Sequence, residues 1–142
     1  MGFAARLLDH QGSETPQEVN CPFCPALAQD RYEVQLHLVA ALRDAYPVAE
    51  GHYLIVPLRH TTDFFGMTEA ERGEADELLV HLASQLRHGD PSIDGFNVGM
   101  NCGPVAGQTV GHAHIHLIPR RRGDTPRPRG GVRGVIPEKM DY

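Results

Sequence analysis

The most regular pattern in the chain is HAHIHL, residues 112–117, where His112, His114 and His116 alternate with Ala113, Ile115 and Leu117. A period of two belongs to a β-strand, whose successive side chains point to opposite faces. The pattern predicts a strand with three imidazoles on one face and an apolar face turned to a core. Two β-rich runs precede it. HYLIVP, residues 52–57, reads as one strand, and YEVQLHLVAAL, residues 32–42, as one or two with a bend, ending at the turn-like RDAYPVAEGH. A further strand is expected around FNVGM, residues 96–100, after the breaks at Pro91 and Gly95.

Only one segment has helical spacing. Thr68-Glu-Ala-Glu71 is a capping box, and Leu78, Leu79, Leu82 and Leu86 follow at helical intervals, so the main helix is expected from Thr68 to about Leu86. Strands outnumber helices and the links are short, which favours antiparallel pairing. The expected fold class is α+β, an antiparallel sheet with one main helix. Residues 1–20 are polar and lack periodic apolar positions, so they read as a loosely held arm. The domain proper is expected over residues 21–124. Residues 125–142 are rich in Gly, Pro and Arg and read as a tail, with Val132, Val135 and Ile136 as candidate anchors on the domain surface.

Charge sharpens this division. The net charge of −5 splits into −9 over residues 1–110 and +4 over residues 111–142. An acidic body argues against tight binding to a nucleic-acid backbone, while a basic end beside the histidines suits a small polyanion. No apolar run is long enough to span a membrane. Three cysteines in a chain without an evident export signal point to a reducing, cytoplasmic setting. Cys21-Pro-Phe-Cys24 then reads as a metal pair in preference to a disulfide, although two cysteines make only half a site.

Alternate histidines on a strand can grip a transition metal, with all three sharing one catalytic ion, or can act on a phosphate. Imidazole attacks phosphorus at neutral pH when one nitrogen is fixed by a hydrogen bond and the other is free. GPVAGQTVG, residues 103–111, supplies glycines that let backbone N–H groups approach an anion.

The G-Q-T-V of residues 107–110 followed by H-x-H-x-H and two apolar residues resembles the histidine triad superfamily of nucleotide hydrolases and transferases. RDAYPVAEGHYLIVPLRH is similar to the family's upstream strand, turn and strand, and the resemblance runs from about Cys21 to Asp124. HLIPRRRGD looks like the fragile-histidine-triad branch, which cleaves dinucleoside polyphosphates, more than the phosphoramidase branch, where glycines follow the triad.

The resemblance implies a homodimeric nucleotide hydrolase acting on a small nucleotide through a covalent nucleotidyl intermediate. It makes His114 the nucleophile, His116 the phosphate contact that aids the leaving group, and Gln108 a catalytic neighbour of the bridging oxygen. His52, Gly107, Thr109 and Val110 become substrate-binding positions, and Asp44 the receiver of the ribose hydroxyls. Asn101 stands where the hydrolases carry a longer Gln. Bacterial members with a similar C-x-x-C hold a structural zinc, and the matching ligands here are Cys21, Cys24, His60 and His112. Phosphorylase and phosphoramidase chemistry share the same intermediate, and a nucleotide-binding sensor with incidental turnover is the alternative outside enzymes. Arg120, Arg121, Arg122, Arg127, Arg129 and Arg133 are expected to clamp the distal phosphates, or else to dock the tail.

Overall fold

The computed structural model describes residues 20–142, so all but the last residue of the expected N-terminal arm lies outside the described residues. The elements are α1 (Phe23–Ala28), β1 (Val34–Gln35), β2 (Val39–Arg43), β3 (Tyr53–Pro57), α2 (Glu69–Gly89), β4 (Ile93–Gly99) and β5 (Ile115–Arg121). The five strands form one antiparallel sheet in the order β1-β2-β3-β5-β4. This is the expected α+β architecture with one main helix.

The sheet is apolar on both faces, and alternation along its strands sorts the residues. Val39, Ala41, Tyr53, Ile55, Ile115 and Leu117 face α2, where they meet Ala75, Leu78 and Leu82. Ala40, Leu42, Leu54 and Val56 face the other way and bury Leu27 of α1. Each such side chain contributes about 1.5–3 kcal/mol when fully buried, so the two clusters together fix the sheet between two layers. The start of α2 is set as expected. The Thr68 hydroxyl accepts from the Glu71 N–H at 3.0 Å, and the Glu71 carboxylate accepts from the Thr68 N–H at 2.8 Å. Glu71 is buried and also meets the Arg59 guanidinium at 2.8 Å. Burial alone would raise its pKa, but the bonds from Arg59 and Thr68 outweigh that and lower it.

Three expectations need correction. The histidine strand begins only at Ile115, so His116 is in the sheet while His112 and His114 lie in the irregular segment before it. The reason is a competing set of bonds: the Ala113 N–H donates to the Thr61 carbonyl at 2.7 Å, and the His112 carbonyl accepts from the His114 ring. Around the cysteine pair, the sequence reading had no helix, yet α1 forms there. In the tail, Val132, Val135 and Ile136 are all well exposed, so none is a buried anchor, although Val132 borders a shallow pocket with Val48 and Ile118. The tail instead closes on itself, with Arg127 paired to Asp141, Arg129 and Arg133 stacked over Tyr142, and Met140 against Gly130 and Gly134. It has no regular structure beyond two 3-10 turns.

This packing predicts the outcome of one pair of substitutions. Leu78→Ala should cost about 2–5 kcal/mol in denaturant unfolding, since Leu78 is only 1% exposed. Val80→Ala, on the exposed side of the same helix, should change stability by less than about 0.5 kcal/mol. Similar losses at both positions would refute the assignment of faces.

Candidate functional site

On the sheet face opposite α2, His114 and His116 line a cavity of about 840 Å³. Asp44, Asn101, Gly107, Thr109 and Val110 line it with them, so these expected substrate contacts come together as walls of one space. Leu42, Leu54, Tyr32, Phe23, Pro22 and Ala26 form its apolar side, which the sequence reading missed. Part of that wall carried a signal, for Leu54 is directly opposite His116 and Leu42 opposite Leu54 in the sheet register. Residues paired across strands share a face.

The imidazoles are held in defined tautomers. His114 Nδ1 donates to the His112 carbonyl at 2.7 Å, which leaves Nε2 with a lone pair. The ring of His52 accepts at Nδ1 from the Val48 N–H at 3.2 Å, so its proton sits on Nε2. That Nε2–H donates to His116 Nδ1 at 2.8 Å. His116 consequently carries its proton on Nε2. Asp44 borders this chain, with one oxygen 3.3 Å from His52 Nε2 and 3.9 Å from His116 Nδ1, while the other accepts from the Tyr46 N–H. Burial lowers the His116 pKa below its ordinary value, aided by repulsion from His114 and His52 and opposed by Asp44. Burial lowers that of His52 too, again against Asp44. Both rings are neutral at pH 7, as the hydrogen-bond chain requires.

Two expected site residues occupy other places. His52 is buried and does not line the cavity; it reaches the site through the ring of His116, to which it is hydrogen-bonded. Gln108 does not line the cavity either. Its amide oxygen accepts from the Gly103 N–H at 2.8 Å, and its nitrogen donates to the carbonyls of Thr62 and Val110 at 2.6 and 2.9 Å. These bonds close the loop of residues 103–110 on itself and tie it to Thr62 in the segment after β3. Gly103 and Gly107 have φ of +92° and +97°, conformations that a residue with Cβ adopts only with strain.

His112 faces away from this cavity. Its Nδ1 lies 3.4 Å from Cys21 Sγ and 3.6 Å from Cys24 Sγ, and His60 Nδ1 lies 3.2 Å from Cys24 Sγ. The four side chains form a cluster with ligand atoms within 4.8 Å of one another. Tetrahedral zinc with thiolate and imidazole ligands requires neighbouring ligand atoms about 3.3–3.8 Å apart, from its bond lengths of about 2.0–2.3 Å, so the donor set fits. His112 Nε2 donates to the Pro57 carbonyl at 2.8 Å, which turns the Nδ1 lone pair towards the cluster, as an outer bond to a ligand histidine does. His60 Nε2 is buried with no hydrogen-bond partner among the described residues. The hydrogen bond with the Cys24 side chain holds the Cys21 thiol well below its ordinary range against burial, favouring the thiolate that a metal takes. Asp44, His52 and His116 form a second group of potential ligands. There the two imidazole nitrogens bond directly at 2.8 Å, closer than two ligands on one ion of this kind.

Of the arginines expected to form the clamp, Arg120, Arg121, Arg122, Arg127, Arg129 and Arg133, none lines the cavity, whereas Arg31 and Arg43 do. Arg120 bonds Asp124 and Asn97, Arg121 bonds Asp90, and Arg122 pairs with Asp94. The proposed phosphate clamp is therefore not assembled within one chain, because nearby carboxylates already hold these guanidinium groups.

Known proteins share this arrangement. The HIT domain model matches residues 29–123. The chain is 34% identical over 88 residues, 61% of its length, to an AP-4-A phosphorylase of Mycobacterium tuberculosis, of which it spans 45%. It is 36% identical over 81 residues, 57% of its length, to the adenosine 5'-monophosphoramidase HNT1 of Saccharomyces cerevisiae, of which it spans 48%. The chain thus covers about half the length of these curated relatives. Among solved structures, a zinc-bound histidine triad family protein from Mycobacterium smegmatis superposes with a TM-score of 0.70 at 28% identity, over 78% of this chain and 81% of that one. No helix among the described residues is long and apolar enough to cross a membrane. With a sheet, a loop and a histidine cluster of this form, and a family model matched over most of its length, the chain belongs to the HIT, or histidine triad, family.

Proposed function

We propose that this protein cleaves a dinucleoside polyphosphate through a nucleotide bound covalently to His114. The observation that carries the reading is the pair of tautomers: His114 presents a lone pair at Nε2 beside His116, which presents a proton at Nε2. The His114 Nε2 lone pair forms a bond to phosphorus while the bond from phosphorus to the bridging oxygen breaks. His116 Nε2–H hydrogen-bonds to the bridging oxygen, which departs as a phosphate anion holding the electrons of the broken bond. In the second displacement water attacks phosphorus, the N–P bond breaks with its electron pair returning to His114 Nε2, and the water's proton is released to solvent. A neutral nucleophile suits this reaction, because an anionic one would face an anionic substrate. The apolar wall receives a base, Asp44 the ribose hydroxyls, and the backbone of residues 107–110 the phosphate oxygens. Gln108 serves here by fixing that loop.

The two relatives favour related chemistries by their names, a phosphorylase and a phosphoramidase. Both chemistries use the same first step and differ in the leaving group or the acceptor. A zinc ion at Cys21, Cys24, His60 and His112 belongs to the proposal, supported by the fit of the cluster and by the zinc-bound relative structure. Bound there, it supplies a cross-link between the start of the domain and the segment before β5. A homodimer belongs to the same reading and is tested by sedimentation velocity.

The central test is His114→Asn with a panel of a dinucleoside tetraphosphate, a nucleoside phosphoramidate and an adenylylated donor, with and without inorganic phosphate. The variant should stay folded and bind nucleotide, with turnover lower by at least about 10³-fold. Wild-type products separate hydrolysis from phosphorolysis, and near-normal turnover by the variant would exclude the covalent step. Wild-type binding without turnover on any substrate would establish a sensor instead.

The pH dependence follows from the buried rings. Since His52 and His116 bind protons less readily folded than unfolded, the neutral chain persists as pH falls through 6.5. The acid limb of kcat/KM should lie below pH 6.5, and folding stability should decline in the same window. Asp44→Asn removes the influence that raises both pKa values, so it should move the limb lower still. A limb at or above 6.5, or one that rises in the variant, contradicts this assignment.

For the metal, purified protein should carry about one zinc per chain by atomic emission, and Cys21→Ser or His60→Ala should lower Tm by many degrees. Metal-free protein of equal Tm would rule out a structural site. Loss of catalysis on chelation with the fold and nucleotide binding both intact would point to a catalytic ion.

A further inference from the structure

The cavity and the metal cluster share one wall. Cys21 and Cys24 bracket Pro22 and Phe23, so the two cysteines face the cluster while the two residues between them line the cavity. The Phe23 ring meets His112 edge-on, with centroids 5.6 Å apart and planes at 80°, and meets His114 in the same manner at 5.3 Å and 69°. It therefore touches one residue from each site. Such edge contacts contribute about 0.5–1.5 kcal/mol beyond the area they bury.

The half-buried ring also packs against the cluster of Leu27, Leu42 and Leu54, but α1 by itself does little to hold it. The helix has six residues, no side-chain cap at its start, no acidic residue in its first turn and no basic residue in its last. A helix so short is unstable by itself and takes its position from outside contacts. Its far end is anchored by buried Leu27. Its near end, where Phe23 sits, is tied by the contacts of Cys21 and Cys24 to His112 and His60. Thiol and imidazole groups at 3.2–3.6 Å make weak bonds, whereas a metal joined to both cysteines fixes a two-residue span at each end.

We propose that metal binding at Cys21, Cys24, His60 and His112 sets nucleotide affinity in the adjoining cavity, with Phe23 as the positioning residue that carries the coupling. The inference rests on the nucleotide and metal readings above and adds a thermodynamic link between them. With metal bound, the Phe23 ring is ordered before the nucleotide arrives, so binding costs less ordering of the wall. By reciprocity, nucleotide in the cavity must tighten metal binding by the same factor. The effect belongs to binding and should appear in KM more than in kcat.

The test uses full-length protein and AMP as the probe. Calorimetry measures AMP affinity in zinc-loaded and chelator-treated protein, each checked for fold by circular dichroism, for wild type, Phe23→Ala and Phe23→Leu. A second measurement titrates zinc with a competing chelator in the presence and absence of saturating AMP, which reads the link even where the metal-free protein is poorly folded. Removal of zinc from wild type should weaken AMP roughly tenfold, and AMP should tighten zinc by the same factor. Zinc-loaded Phe23→Ala should show a similar loss of AMP affinity, with the effect of AMP on zinc reduced towards unity. Phe23→Leu, which keeps apolar bulk in the wall, should restore most of both.

Equal AMP affinity with and without zinc, or an undiminished effect of AMP on zinc in Phe23→Ala, would overturn the coupling while leaving both sites in place. Zinc-loaded wild type that binds no AMP would remove the nucleotide reading and this inference with it. Protein that takes up no zinc would remove the metal reading and the inference likewise.

Discussion

The His112 ring donates from Nε2 to the Pro57 carbonyl at 2.8 Å, and much of the site depends on that bond. It connects the end of β3 to the segment entering β5 and orients a fully buried imidazole. With Nε2 occupied, Nδ1 is left facing Cys21 and Cys24. The carbonyl of the same residue accepts from His114 Nδ1, which leaves the other nitrogen of that ring free for the cavity. One backbone position thus orients the proposed metal ligand by its side chain and the proposed nucleophile by its carbonyl. Two imidazoles that are adjacent in the motif acquire opposite free nitrogens, Nδ1 in one and Nε2 in the other.

A second chain of bonds, from the Val48 N–H through His52 to His116, gives the third triad histidine its proton. Its two rings are largely shielded from water, and this has an electrostatic consequence. Burial disfavours the imidazolium, so the rings stay neutral near pH 7 without a cationic partner, and they avoid the mutual repulsion that charge would bring. A buried polar chain of this kind is costly when one link is missing, since each remaining group keeps its desolvation penalty without its bond.

The arginines show how far local carboxylates alter a charge pattern. The positive end of the chain suggests attraction for phosphate, but Asp90, Asp94, Asp124 and Asp141 hold four of these groups in ion pairs. The pairs of Arg122 and Arg127 are largely exposed, and such pairs contribute little to stability. Their effect is to direct the guanidinium groups along the surface and away from the cavity. In the proposed reaction the loop backbone and His116 meet the phosphates, and the cationic groups on the cavity wall are Arg31 and Arg43 instead of the tail arginines.

Local pattern alone was sufficient for the sheet, the capping box and the long helix, because strand alternation and helix spacing are properties of neighbours in the chain. HYLIVP gave β3 from its apolar run, and Thr68 with Glu71 marked the start of α2. The motif with its loop also pointed to the residues that now line the cavity, among them Asp44, Gly107 and His114. Periodicity failed at the triad itself. It read three histidines as one face, whereas the bond from Ala113 to Thr61 keeps His112 and His114 out of the sheet. It gave no hint that the Gln108 amide would be taken up by three loop bonds, nor that Phe23 would stand between the cavity and the cysteines. Residue types and their spacing therefore determined which chemistry this protein carries. Which nitrogen of each ring is free, and which side chains meet across 36 to 91 residues of chain, was decided only by tertiary structure, because those bonds join segments whose separation no local period records.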